Sequence, residues 1–197
     1  MRGIRVAVIG AGAMAAGLVL ASAPAFAQPW EGRPNAVAVF GARMADNNWI
    51  EIATIDDLGV RDAWLVGVAL SRELAGTGRW ALEAEVQGVR HFGGQGHWET
   101  NAALVARWRS FPWNRRLPAS VAFGIGPSYA AKVPAEEVAR DGSSARLLLY
   151  WVAELEVGAR DGPWSGLARL HHRSNAYGVF AEEGGSNWLT LGLRRRF

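Results

Sequence analysis

The stretch Ala145-Arg-Leu-Leu-Leu-Tyr-Trp-Val-Ala-Glu-Leu-Glu-Val-Gly-Ala159 sets Leu147, Leu149, Trp151, Ala153, Leu155 and Val157 on one parity, opposite Arg146, Glu154 and Glu156. Successive side chains of a strand leave opposite faces, so this alternation describes a β-strand with one apolar and one charged face. Seven other stretches, bounded by Gly, Pro, Asn and Asp clusters, read the same way: Asn35 to Met44, Asp62 to Leu74, Trp80 to His91, Trp98 to Phe111, Ala119 to Ala130, Trp164 to Asn175 and Asn187 to Phe197. Trp64, Val66, Val68 and Leu70 share a face, and Leu82, Ala84, Val86 and Gly88 oppose Glu83, Glu85 and Gln87. In the fourth stretch Ala102, Leu104, Ala106 and Trp108 oppose Glu99, Asn101 and Arg107.

Each stretch is about 10 residues or somewhat longer, the length a tilted strand needs to cross a bilayer. Apolar-out and polar-in alternation over an even number of strands predicts a closed eight-stranded antiparallel transmembrane β-barrel, all-β, in which no backbone edge faces lipid. A soluble sandwich would alternate too, with its apolar face inward. The start of the chain weighs against it. Met1-Arg-Gly-Ile-Arg5, an apolar run from Val6 to Pro24, and Ala25-Phe-Ala27 make a secretory signal peptide over residues 1–27, followed by one barrel domain over 28–197. Val8-Ile-Gly-Ala-Gly-Ala-Met-Ala15 has the glycines of a dinucleotide fingerprint, but the next carboxylate is Glu31, beyond the cleavage site.

Composition narrows the class further. There is no cysteine, so the fold is held without disulfides. Without Arg2 and Arg5 the 21 basic residues become 19 against 18 acidic ones, and a near-neutral mature chain gives no footprint for nucleic acid. After the leader no apolar run reaches about 18 residues, which excludes a transmembrane helix. Ten tryptophans and 24 glycines suit aromatic girdles and tight turns. The end, Leu189-Thr-Leu-Gly-Leu-Arg-Arg-Arg-Phe197, resembles the terminal strand of outer-membrane barrels, and localisation in a Gram-negative outer membrane is expected. With a periplasmic N-terminus, segments 45–61, 92–97, 131–144 and 176–186 are the extracellular loops, while 75–79, 112–118 and 160–163 are the short periplasmic turns.

The expected lumen carries Glu83, Glu85, Glu99, Arg107, Glu154, Glu156, Arg169, His171 and Arg173. Carboxylate pairs such as Glu83/Glu85 and Glu154/Glu156 suit acid–base work, but a narrow barrel must fill its interior and pair its charges, so a structural ion-pair network is the expectation. The spacing of the four histidines matches no zinc pattern, and neither a metal nor a cofactor is expected.

Arg169-Leu-His-His-Arg-Ser-Asn-Ala176 stands apart. His172 and Ser174 share the parity of Gly166, Ala168 and Leu170, which is the lipid side, near the extracellular end. Polar groups in lipid need partners, and a serine beside a histidine is the basic unit of acyl transfer. Asn187 shares the parity of Leu189, Leu191 and Leu193, so the last hairpin brings it near His172, where an amide can orient the ring as in Cys-His-Asn hydrolases. The alternative is that both residues belong to an interfacial girdle.

His172-Arg-Ser-Asn175, a short loop, Gly185-Ser-Asn187 and a terminal strand to Phe197 resemble the end of the PagL-type lipid A 3-O-deacylases, or acyloxyacyl hydrolases. The match covers about the last 30 residues, and the barrel pattern covers the rest of the mature chain. The resemblance implies a small outer-membrane barrel with a lipid-facing His-x-Ser pair. His172 would be the general base, Ser174 the nucleophile, and Asn175 a support or substrate contact. Lipid A of lipopolysaccharide would be the substrate, outer-membrane lipids the surroundings, and a homodimer an open option for assembly. Well-known members carry a Glu on the last strand as the third residue. Here Asn187 stands there, with Glu182 and Glu183 in the loop, so Asn187 or Glu183 would orient the histidine. The reading from another class is a non-catalytic structural or adhesion barrel.

Overall fold

Strands with an outward apolar parity escape an unpaired edge in lipid only if the last pairs with the first. They do so in the computed structural model, which describes residues 32–54, 58–159 and 162–197. β1 (Asn35–Ala45), β2 (Val60–Gly76), β3 (Trp80–Gly93), β4 (Trp98–Trp108), β5 (Ala119–Ala130), β6 (Leu147–Gly158), β7 (Trp164–Ser174) and β8 (Gly185–Arg196) form a closed antiparallel barrel in sequence order. Closure runs through β1 and β8, from Ala36 opposite Arg196 to Ala45 opposite Asn187. Among the described residues no helix is long and apolar enough to cross a membrane. The expected signal peptide, residues 1–27, lies outside the described residues, as does part of the 160–163 turn.

The outer face is apolar around the wall. Leu104 and Leu191 are 56% and 72% exposed, and Trp64, Val68 and Phe123 project beside them. Exposed aromatics ring both ends: Trp80, Trp113, Trp164 and Phe197 at the short-turn end, and Trp64, Trp98 and Tyr129 at the long-loop end. This is the double girdle of a transmembrane barrel.

The lumen is filled with charge. Arg107 binds Glu83 at 2.9 Å, Glu154 at 2.8 Å and Glu156 at 2.9 Å. Arg169 joins Glu85 at 2.8 Å to Glu154 at 2.5 Å. Arg194 and Arg196, which the sequence analysis did not place, reach Glu156 at 2.7 and 2.9 Å. Apolar side chains fill the remainder on one side, from Phe40, Met44 and Leu65 to Leu167 and Trp188.

Three expectations need correction. β4 ends at Trp108, not Phe111, because Asn114 takes over the turn: its amide donates to Arg109 O and Ala119 O, and its Oδ1 accepts from Ala119 N. Arg146 does not face the lumen. It precedes β6, donates to Ala130 O at 3.1 Å, and lies over the Tyr129 ring on the outside. β8 begins at Gly185, two residues before the expected Asn187, which shortens the last loop to 175–184.

Two long loops carry helices the periodicity did not announce. α1 (Trp49–Thr54) follows a capping box in which Asn48 Oδ1 accepts from Ile50 N and Glu51 N while Glu51 accepts from Asn48 N. Asn48→Ala should remove about 1 kcal/mol of support from this helix. Hydrogen exchange at the Ile50 and Glu51 amides should then quicken while the barrel amides keep their protection. α2 (Ala135–Asp141) lies in the loop between β5 and β6. Its Glu137 is buried and accepts from Arg173 at 3.0 Å, Ser186 at 2.7 Å and Ser144 at 2.5 Å. The inner parity of the β7–β8 hairpin is thereby anchored, directly behind the residues that face outward.

Candidate active site

Strand register arranges the outer face of β6, β7 and β8 in rows. Trp151, His172 and Asn187 stand side by side, and Leu149, Ser174 and Gly185 form the row nearer the loops. The row on the other side is Ala153, Leu170 and Leu189. Inward neighbours His171, Arg173 and Ser186 are fully buried, so the hairpin has no freedom to slip parity.

His172 Nδ1 lies 2.6 Å from Asn187 Oδ1. The amide nitrogen of Asn187 donates to the backbone carbonyl of Asn47 at 3.0 Å. That second bond decides the first: with Nδ2 spent on Asn47, the oxygen faces the ring and can only accept. His172 therefore carries its proton on Nδ1, which leaves Nε2 unprotonated and able to act as a base. The Trp151 ring lies 4.4 Å from the imidazole, and Trp49 of α1 meets Trp151 edge-on at 6.4 Å. The ring is held by a hydrogen bond on one side and an aromatic wall on the other.

Ser174 lies two residues along the same face. Its Oγ accepts from Ala176 N at 3.1 Å, and no His172–Ser174 hydrogen bond is present among the described residues. The residue opposite Ser174 is Gly185, whose φ of 149° and the Arg173 carbonyl 2.6 Å from where a Cβ would sit exclude a side chain.

Asn175 donates to Glu182 O at 2.9 Å, and its Oδ1 accepts from Tyr177 N. Its carboxamide is thus committed to shaping the loop 175–184. Glu182 and Glu183 are exposed in that loop, and the group on His172 is Asn187. Asn47 was missed in the sequence, although Asn48-Trp-Ile-Glu51 carried the signal of a capped helix just after it. Below the His172 row a groove of about 810 Å³ runs down the outer wall, lined by Leu170, Ala153, Leu189, Ala168, Leu155 and Leu191.

Neither a protein-family model nor a curated protein matches the chain. Among solved structures, the crystal structure of the outer membrane enzyme PagL superposes with a TM-score of 0.57 at 14% identity, covering 82% of this chain and 99% of that one. The chain is similar in fold to PagL. The likeness is one of architecture: nearly the whole of PagL has a counterpart here, in the closed eight-stranded barrel.

Proposed function

We propose that the protein is an outer-membrane serine esterase that removes an ester-linked acyl chain from lipid A of lipopolysaccharide. The observation that carries this reading is the hydrogen-bonded His172–Asn187 pair on the outward parity, where a polar pair facing lipid is costly. Ser174 Oγ attacks the ester carbonyl as His172 Nε2 takes its proton. The imidazolium is held through Nδ1–H by Asn187, and the proton then passes to the leaving sugar oxygen. Water, activated by the same Nε2, releases the fatty acid from the acyl-serine.

The placement fits the substrate. Ser174 sits in the row nearest the loops, the level of headgroups and ester bonds, and the apolar groove begins below the His172 row, two rows from it on the side of the membrane middle. The likeness in fold to the outer membrane enzyme PagL supports the same membrane. Asn175 contributes by holding the loop over the nucleophile.

Asn187→Leu keeps the volume but leaves the tautomer unfixed. The loss of the orienting aspartate in serine proteases costs roughly 10⁴-fold; a neutral amide stabilises the imidazolium less, so a fall in kcat of about 10²-fold is expected. Asn187→Glu should retain most activity, because a carboxylate still accepts from Nδ1–H, and Glu183→Gln should be silent. Fatty acid released from purified lipopolysaccharide by the folded barrel, quantified by mass spectrometry, is the assay. A crippled Glu183→Gln beside an unaffected Asn187→Leu would transfer the orienting role to the loop carboxylate.

A further inference from the structure

Sequence spacing separates the histidines, but the barrel gathers three of the four around one carboxylate. His91 at the end of β3, His97 in the loop 94–97 and Glu99 at the start of β4 are buried, and each offers a ligand atom within 4.8 Å of the others. Glu99 accepts from His91 Nε2 at 3.0 Å and from His171 Nε2 at 2.9 Å. The His97 ring is stacked on His91 at 4.2 Å, and its Nε2 is buried without a hydrogen-bond partner. An orphaned imidazole nitrogen in a polar lumen is costly, and such an atom requires an explanation.

Charge points the same way. The buried carboxylates of Glu99 and Glu137 share the Arg173 guanidinium, at 3.7 and 3.0 Å. The remaining donors to these carboxylates are His91, His171 and the neutral Asn101 on Glu99, and the neutral Ser144 and Ser186 on Glu137, so one guanidinium faces two carboxylates and the cluster favours a cation. We propose that His91, His97 and Glu99 form a binding site for a divalent transition-metal ion such as Zn²⁺, inside the long-loop mouth of the barrel.

Two imidazoles and a carboxylate suit zinc and its neighbours and disfavour magnesium or calcium, which take oxygen ligands. Bonds of about 2.0–2.1 Å bring tetrahedral donors to roughly 3.3 Å apart. The ligands must therefore close inward, and His97 must turn out of its stack. Gly93-Gly94-Gln95-Gly96 precedes His97, with Gly93 at φ +80°, and gives the loop that freedom. Gln95 Nε2 donates to His91 Nδ1 at 3.1 Å; with the ring bound to metal through Nε2 the Nδ1 carries the proton, and the Gln95 carboxamide turns its oxygen to accept it. Bound metal would tie the β3–β4 loop to the wall strand that bears His171. This site uses no residue of the outer-face trio and stands independently of the proposed esterase.

The test is a titration of the untagged, folded barrel in detergent micelles with CoCl₂, after removal of adventitious metal with EDTA. The visible band of bound Co²⁺ should saturate at one equivalent and vanish when Zn²⁺ displaces it. Outer-shell partners alone are worth 10–100-fold in affinity, so His97→Ala and His91→Ala should weaken binding by more than about 100-fold, with folding checked by heat-modifiable migration on gels. His97→Ala changes only a loop residue, which keeps the test open if a strand variant fails to fold. His172→Ala should bind as the parent does. Absence of the band in the parent, retention of parental affinity in His97→Ala, or loss of the band in His172→Ala would each overturn the proposal.

Discussion

Ser174→Ala should lower fatty acid release from lipopolysaccharide by roughly 10⁴-fold or more, with the barrel still folded. Removing the nucleophile of a serine hydrolase costs up to about 10⁶-fold in kcat, and what remains comes from binding and electrostatic stabilisation. The serine contributes little to the fold. The one hydrogen bond of its side chain is accepted from Ala176 N, and of its two strand partners, Leu149 and Gly185, the second has no side chain to lose contact with. His172→Asn should fall as far, since the hydroxyl is a weak nucleophile without its base. The two changes together should cost no more than either alone, because base and nucleophile act as a unit. Equal activity in Ser174→Ala would remove the serine from the chemistry.

The second large effect concerns stability. Glu156 is fully buried and takes Arg107 at 2.9 Å, Arg194 at 2.7 Å, Arg196 at 2.9 Å and Ser165 at 2.6 Å. Glu156→Gln leaves those three guanidinium groups short of a carboxylate in the barrel interior. Breaking a buried ion pair from one side costs about 3–5 kcal/mol. Urea unfolding of the barrel in lipid vesicles should show a loss of that order, with the midpoint lowered and the slope kept. Activity per folded molecule should be unchanged, since Glu156 faces the lumen and the trio faces outward. A folded Glu156→Gln barrel without activity would place the lumen carboxylates in the chemistry.

The wall was legible because alternation is a local property. Leu147 to Val157 must share a face whatever the rest of the chain does, and the same parity rule set His172, Ser174 and Asn187 together. Pairing across the last hairpin then needed only a short loop, and the 2.6 Å contact between His172 and Asn187 followed. Contacts that depend on three dimensions were not legible. α2 is fixed by Glu137 reaching Arg173 and Ser186, and no spacing in the sequence announces that. Asn47 reaches Asn187 through a backbone carbonyl, which leaves no trace in residue type. His91, His97 and Glu99 meet because β3 and β4 are paired and the inward parity continues through the loop. Arg146 sat one residue outside the strand, where parity no longer constrains it.

The most direct measurement is the mass spectrum of lipid A from outer membranes of cells expressing the wild-type chain, the Ser174→Ala chain or neither. Cells with the wild-type chain should yield lipid A lighter by one acyl chain, and both other samples should retain the full mass. Lipid A of unchanged mass in the presence of folded wild-type barrel, or the same lightened species with Ser174→Ala, would contradict a serine esterase at the His172–Asn187 site.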